Sequence, residues 1–204
     1  MGDKMLALTL DDGPSPDTMP RVLEVLSRYG AKATFFLWGE QITPELLPLL
    51  REAVALGHEL GNHSMHHLHM AALTVEKIRM ETEPLQKLLQ EQLGITPVWF
   101  RAPYLETGPE MLRTIPMPFA AGYGNRDWLP ETGVAERVTL AQEACRDGNI
   151  LLMHCFAGNQ ATVEALEQLL PWLAEQNIAV TTLSDLFARK GISPEPGKVY
   201  DYAL

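Results

Sequence analysis

The sequence predicts an α/β fold whose mainly parallel sheet forms a small, distorted or incomplete (β/α) barrel. Three observations carry this. Short apolar, β-rich runs alternate with longer helical patterns along the whole chain, the pattern of strands joined by helical crossovers. Roughly seven such units fit into about 200 residues, more than an open sheet of this length usually holds. The unusual ionisable residues fall at the ends of the apolar runs, where parallel α/β proteins gather their functional groups.

In chain order, the expected strands are "MLALTL", "ATFFLWG", "HELGN", "PVWFRAP", "PFAAGYG", "NILLMH" and "IAVTTL". The helical segments between them are "PDTMPRVLEVLSRYG", "TPELLPLLREAVALG", "TVEKIRMETEPLQKLLQEQLG", "GVAERVTLAQEACRDG" and "QATVEALEQLLPWLAEQ". Several begin at Ser, Thr or Asp and stop at Gly, the residues that satisfy the free amides and carbonyls of helix ends. Pro48, Pro84 and Pro171 are expected to kink or break their helices, because proline lacks the amide donor and its ring crowds the preceding turn. With no linker, repeat or low-complexity stretch, the 204 residues read as one domain, with a loose tail from about Ile192.

Composition narrows the class of partner. The chain is 46% hydrophobic and 21% charged, as a folded domain is, and its formal net charge of −10 disfavours nonspecific binding to nucleic acid or to an anionic membrane. No apolar run reaches the roughly eighteen residues of a membrane span. "MLALTL" is too short for a signal peptide. The expected location is therefore cytoplasmic for a full-length chain and extracellular for one whose signal was trimmed. Cys145 and Cys155 do not make a disulfide framework and read as reduced thiols.

Five segments end in ionisable groups: Asp11 and Asp12, His63 and His67, Arg101, Asp127 beside Trp128, and His154. Neighbours on a strand face opposite ways, so Asp11 and Asp12 would not share a pocket if the strand simply continued. In "NHSMHHLH", His63 and His67 are four apart, which on a helical turn puts both imidazoles on one face. With Asp12 they make a two-histidine, one-carboxylate set that leaves room for water on a metal. Taken singly, "DDGP" is a common turn, "FRAPY" a strand end with a surface arginine, and "LLMH" a core histidine at a strand terminus.

Together and in this order, the motifs resemble the NodB homology domain of polysaccharide deacetylases, carbohydrate esterase family four. "TLDDGP", "HSMHH", "RAPY", "GNRDW" and "LMH" stand for that family's five motifs. The resemblance implies that one divalent ion is held by Asp12, His63 and His67, with zinc or cobalt ahead of nickel or iron. It implies that Asp11 is the general base on the metal-bound water, held by Arg101. It makes His154 the general acid, with its pKa raised by Asp127. A backbone N–H near Tyr104 would serve the oxyanion, and Trp128 and Leu152 would line the acetyl pocket. Leu10, Ala102, Leu105, Gly124 and Cys155 depart from the family pattern. Gly124 stands where the fourth motif has its first Asp, so that carboxylate's role is missing or supplied elsewhere.

The activity implied is metal-dependent removal of acetyl groups from a carbohydrate polymer or oligomer. O-acetyl on xylan is slightly favoured through "YLETGP", and N-acetylglucosamine polymers such as chitin-like chains or peptidoglycan are the alternative. A noncatalytic carbohydrate-binding module would be expected to have lost part of this set. A phosphatase-type magnesium site would favour carboxylates over paired imidazoles. Oligomeric state is left open.

Overall fold

Buried on both sides, the N-terminal apolar run becomes the axis of the fold. In the computed structural model, which describes residues 4–203, it forms a ten-residue strand, β1 (Lys4–Gly13), with all but its first residue buried or nearly so. A strand covered on both faces must be apolar on both, and its alternation sorts two environments. Leu6, Leu8 and Leu10 join the main core, whereas Met5 and Ala7 join a second cluster with Phe36 and Trp99. Thr9 and Asp11 share the parity of Ala7.

The chain continues as α1 (Thr18–Arg28), β2 (Ala33–Leu37), α2 (Leu47–Ala55), β3 (Glu59–Asn62), α3 (Val75–Leu93), α4 (Pro109–Thr114), β4 (Phe119–Ala120) and β5 (Tyr123–Gly124). It ends with α5 (Val134–Ala144), β6 (Ile150–His154), α6 (Gln160–Glu175), β7 (Ile178–Thr181), α7 (Leu183–Arg189) and β8 (Val199–Tyr200). Local chemistry sets several ends: Thr74 accepts from the Lys77 amide to cap α3, Gly94 closes α3 at a φ of 70°, and Thr182 caps α7. No helix of the described residues is long and apolar enough to cross a membrane.

Every ladder between the named strands is parallel, in the order β3-β2-β1-β6-β5, with β7 on the first half of β1 and β4 paired to β8. Single bridges carry the sheet further round, from Asn62 to Phe100, from Phe100 to Phe119, and from Tyr202 to Asn149. The result is an incomplete barrel. Its register aligns Asp11 with His154 and Leu37 with Asn62, so the strand ends that carry ionisable groups lie on one rim.

Four expectations differ from the structure. "PVWFRAP" is strand-like only at Phe100, because Pro97 and Pro103 bound it without amide donors. "PFAAGYG" divides into β4 and β5 across Gly122, whose φ of 117° suits glycine. The prolines do not break their helices. Pro48 sits in the first turn of α2, where no donor is needed, while α3 and α6 run through Pro84 and Pro171, held by buried residues on both sides such as Leu166 and Leu173. The segment after Ile192 is not loose, since β8 pairs with β4, Ala203 is buried, and the Tyr200 ring lies 5.1 Å from that of Phe187. Helices α4 and α7 have six and seven residues, too short for a periodic signal.

Candidate active site

The structure resolves the problem of the adjacent aspartates with a bulge. Pairing of β1 with β2 slips between Asp11 and Gly13, and Asp12 takes a left-handed φ of 64°. Asp11 thus keeps the inward parity of Thr9, while the extra residue turns Asp12 onto the same rim. Aspartate tolerates this conformation better than most residues, at a cost of about 1–2 kcal/mol.

Asp12 Oδ1 lies 3.4 Å from His63 Nε2 and 3.3 Å from His67 Nε2, and the two Nε2 atoms are 3.2 Å apart. The histidines do meet, but not on a helical turn. Residues 63–69 form an irregular loop in which Ser64 and His67 have φ of 70° and 53°. The Ser64 amide donates to Asn62 Oδ1 and the His67 amide to Ser64 Oγ. Glu81 on α3, almost fully buried, pins the loop by accepting from the His66 amide and pairing with His66 Nδ1 at 2.8 Å. Nothing in the one-dimensional pattern marks Glu81, since its partner is fifteen residues away.

These three residues fit a metal ion. His63 Nδ1 lies 2.8 Å from the Arg101 carbonyl and must donate to it, which leaves the Nε2 lone pair facing Asp12. Asp12 Oδ1 is buried without a hydrogen-bond partner. Three donor atoms 3.2–3.4 Å apart match the spacing of ligands about 2.0–2.2 Å from a tetrahedral ion. Burial would raise the Asp12 pKa, but the close approach of His63 and the charges of His63, His154 and His67 pull it down to about 2. His67 is shifted down by burial and by His63.

Asp11 is held separately. Arg101 is completely buried and its Nη1 donates to Asp11 Oδ1 and to Thr9 Oγ1, both at 2.7 Å. Its Nε donates to the Ala120 carbonyl, Nη2 to that of Ala121, and the guanidinium lies 4.3 Å over the Phe36 ring. The other Asp11 oxygen is 3.8 Å from His63 Nε2. Thr9 escaped sequence reasoning, although its shared parity with Asp11 was the available signal.

On the opposite side, Asp127 Oδ1 accepts from His154 Nδ1 at 2.7 Å, and Oδ2 accepts from the His154 amide, also at 2.7 Å. Burial alone would lower the His154 pKa; the bond to and charge of Asp127 raise it to about 9. The Trp128 ring is 5.5 Å from that of His154 and half exposed. A Cβ added at Gly124 would meet Trp128 Cζ3 at 3.0 Å and Leu152 Cδ2 at 3.8 Å. The indole thus occupies the space that a side chain at 124 would need, and Leu152 beside that space is buried. Cys155 and Cys145 are both free and buried; burial pushes the first thiol well up and the second to about 12.

Tyr104 has a φ of 58°, and its ring lies edge to face with that of His67 at 4.8 Å, while its other neighbour, His69, stacks at 3.9 Å and 9°. A cavity of about 520 Å³ opens beside Asp12, lined by Trp38, Gln41, Thr43 and Phe156 among others. A larger groove of about 720 Å³ on the outer face of α3 carries none of the groups above. The arrangement can hold a cation, and it offers one arginine-bound carboxylate and one aspartate-bound imidazole on either side.

Residues 1–115 match the family model described as polysaccharide deacetylase. A bifunctional xylanase/deacetylase of Pseudobutyrivibrio xylanivorans is 36% identical over 94% of the chain, which spans only 32% of that protein. A peptidoglycan-N-acetylglucosamine deacetylase of Bacillus cereus is 31% identical over 92% of the chain and 90% of its own length. Among solved structures, the Xyl-CE4 domain of a multidomain xylanase from the hindgut metagenome of Trinervitermes trinervoides superposes with a TM-score of 0.96 at 38% identity, covering 99% of this chain and 98% of that one. A family 4 acetyl xylan esterase from Clostridium thermocellum, in complex with a cobalt ion, gives 0.94 at 34% identity, covering 98% of each chain.

Proposed function

The chain belongs to the polysaccharide deacetylase family, and from that premise we propose that residues 1–204 form one domain, a metal-dependent hydrolase that removes acetyl groups from a carbohydrate, with acetylated xylan favoured. The observation that carries the reading is the separation of two adjacent carboxylates: Asp12 sits against two imidazole nitrogens and Asp11 is bound to Arg101. One is placed to hold a cation and the other to take a proton.

Asp12, His63 and His67 would hold a divalent ion; one oxygen and two nitrogen donors suit zinc or cobalt, and also nickel or iron. When bound, such an ion supplies Lewis acidity that lowers the pKa of water and polarises an acetyl carbonyl. Asp11 accepts the proton of the attacking water, with Arg101 keeping the carboxylate oriented. A backbone N–H near Tyr104 serves the developing oxyanion. His154, protonated by virtue of Asp127, donates to the departing sugar oxygen or nitrogen. Trp128 and Leu152 form the apolar wall for the acetyl methyl.

The xylan preference draws on the xylanase and acetyl xylan esterase relatives. The peptidoglycan deacetylase relative supports a second reading, N-deacetylation of N-acetylglucosamine chains. Acetate release from acetylated xylan and from N-acetylglucosamine oligomers, with chelated and metal-restored protein, separates them. Metal-dependent release from xylan alone makes the enzyme an esterase, and release from the amino sugar alone an amide hydrolase. No acetate from either, with metal bound, refutes the proposal and favours a binding module.

A further inference from the structure

Behind the Asp127–His154 pair lies a second buried cation that the mechanism above does not use. Arg137 on α5 is 4% exposed. Its Nε donates to the Thr132 carbonyl at 2.8 Å, and its Nη1 donates to Asn159 Oδ1 at 2.6 Å and to Thr162 Oγ1 at 3.0 Å. These acceptors are all neutral, an unusual setting for a charge that is never given up. A carboxylate comes one step further on, since Thr162 Oγ1 lies 2.7 Å from Asp127 Oδ2.

The directions of these bonds are fixed by chemistry. A guanidinium only donates, so the Thr162 oxygen accepts from Arg137 and its single hydrogen goes to Asp127. Asp127 Oδ2 then accepts from Thr162 and from the His154 amide, and Oδ1 accepts from His154 Nδ1. With every bond to Asp127 running inward, the hydrogen of the imidazole is fixed on Nδ1 and Nε2 is left for the reaction. Asn159 closes the ring, because it stands at the N-cap of α6 yet makes no side-chain cap bond. It takes Arg137 on its oxygen and donates to the His154 carbonyl at 3.2 Å. A position that normally stabilises the helix start is given over to the histidine.

We infer that Arg137 and Thr162 are positioning residues for the general acid, a directional relay from a permanent cation through a hydroxyl to Asp127 that fixes the tautomer and orientation of His154. The inference rests on the assignment of His154 as the proton donor, and it adds two residues that touch no reacting atom.

The test compares Thr162→Val, which keeps the shape and removes the hydroxyl, with Thr162→Ser. Each is assayed with zinc on a sugar acetate, whose alcohol must be protonated as it leaves, and on an activated aryl acetate, whose phenolate need not be. Thr162→Val is expected to lose about tenfold more kcat on the sugar ester than on the aryl ester, and Thr162→Ser to restore most of it. Equal losses on the two esters, or none, overturn the relay. The nitrogen-15 spectrum of His154 gives a readout free of turnover: the Nδ1 proton is expected to exchange slowly in the wild type and at least about tenfold faster in Thr162→Val, and an unchanged exchange rate overturns the relay. A wild type that hydrolyses neither ester refutes the deacetylase reading, while the relay still stands or falls on that proton. Arg137→Gln should add little to Thr162→Val if the two act in series, and a full additive loss counts against the relay.

Discussion

The sharpest prediction concerns Asp127→Asn. The wild-type carboxylate accepts both the Nδ1 hydrogen and the amide of His154, and it holds the imidazole pKa at about 9 against an ordinary value of 6.5. That difference corresponds to about 3 kcal/mol of preference for the protonated ring. Asparagine keeps the size of the side chain but not the charge. If the pKa returns to its ordinary value, the protonated fraction at pH 8 falls from about nine-tenths to about one-thirtieth, whereas at pH 6 it changes less than about 1.5-fold. Turnover of a sugar acetate should therefore drop about 20-fold more at pH 8 than at pH 6, with the alkaline limb moving down by about 2.5 pH units. A divalent ion near Asp12 lowers both proteins' values alike, which leaves the separation between the limbs. The assay is a pH–rate profile on a sugar acetate with an aryl acetate in parallel. A variant whose loss is the same at every pH would refute the acid assignment. Stability follows the same sign. The folded ring keeps its proton up to about pH 9 and the unfolded ring only to about 6.5. The wild type should thus lose stability as pH rises from about 6.5 through 9, and Asp127→Asn should show a shallower fall in thermal midpoint across that window.

Three further outcomes follow from the same geometry. Asp11→Asn should bind zinc yet lose at least about 100-fold in kcat, the usual size of a general-base effect, as measured by calorimetry beside acetate release. His63→Ala should lose both metal and turnover, and added zinc should not restore them. Glu81→Ala leaves the His66 amide without an acceptor and frees the loop between the two histidines, so zinc affinity should fall by about tenfold or more, the range seen when ligand supports are removed; an unchanged affinity would mean that the loop is held without Glu81.

Strands were legible wherever the chain is buried on both faces, because a continuous apolar run such as that ending at Leu10 has few other uses. The prolines do not end α3 or α6, because a missing amide marks a local cost and the burial of Leu166 and Leu173 around Pro171 outweighs it. The tail misled for the opposite reason: two residues of β8 carry no pattern, and their order comes from an edge of β4 more than seventy positions earlier. At the site, the ionisable groups that the structure brings onto one rim could be named from their places at strand ends. The supporting groups Glu81, Arg137 and Thr162 could not, since each is defined by a partner distant in sequence and has an ordinary local context, whereas Thr9 carried only its parity with Asp11. The bulge at Asp12 is visible only as a contradiction, two acids where alternation allows one.

The incomplete barrel is carried round through single bridges at Phe100, and the side chain next to that residue, Arg101, spans the gap from β1 to β4. This joins mechanical and chemical integrity in one place. Regular ladders protect β1, β2 and β6 from local opening, and a seam made of isolated pairs is where a native barrel should breathe first. When it does, the guanidinium that leaves Ala120 also loosens its grip on Asp11. Amide exchange at Phe100 and Arg101 would then report not the rigidity of the scaffold but the fraction of time the proposed base is held ready.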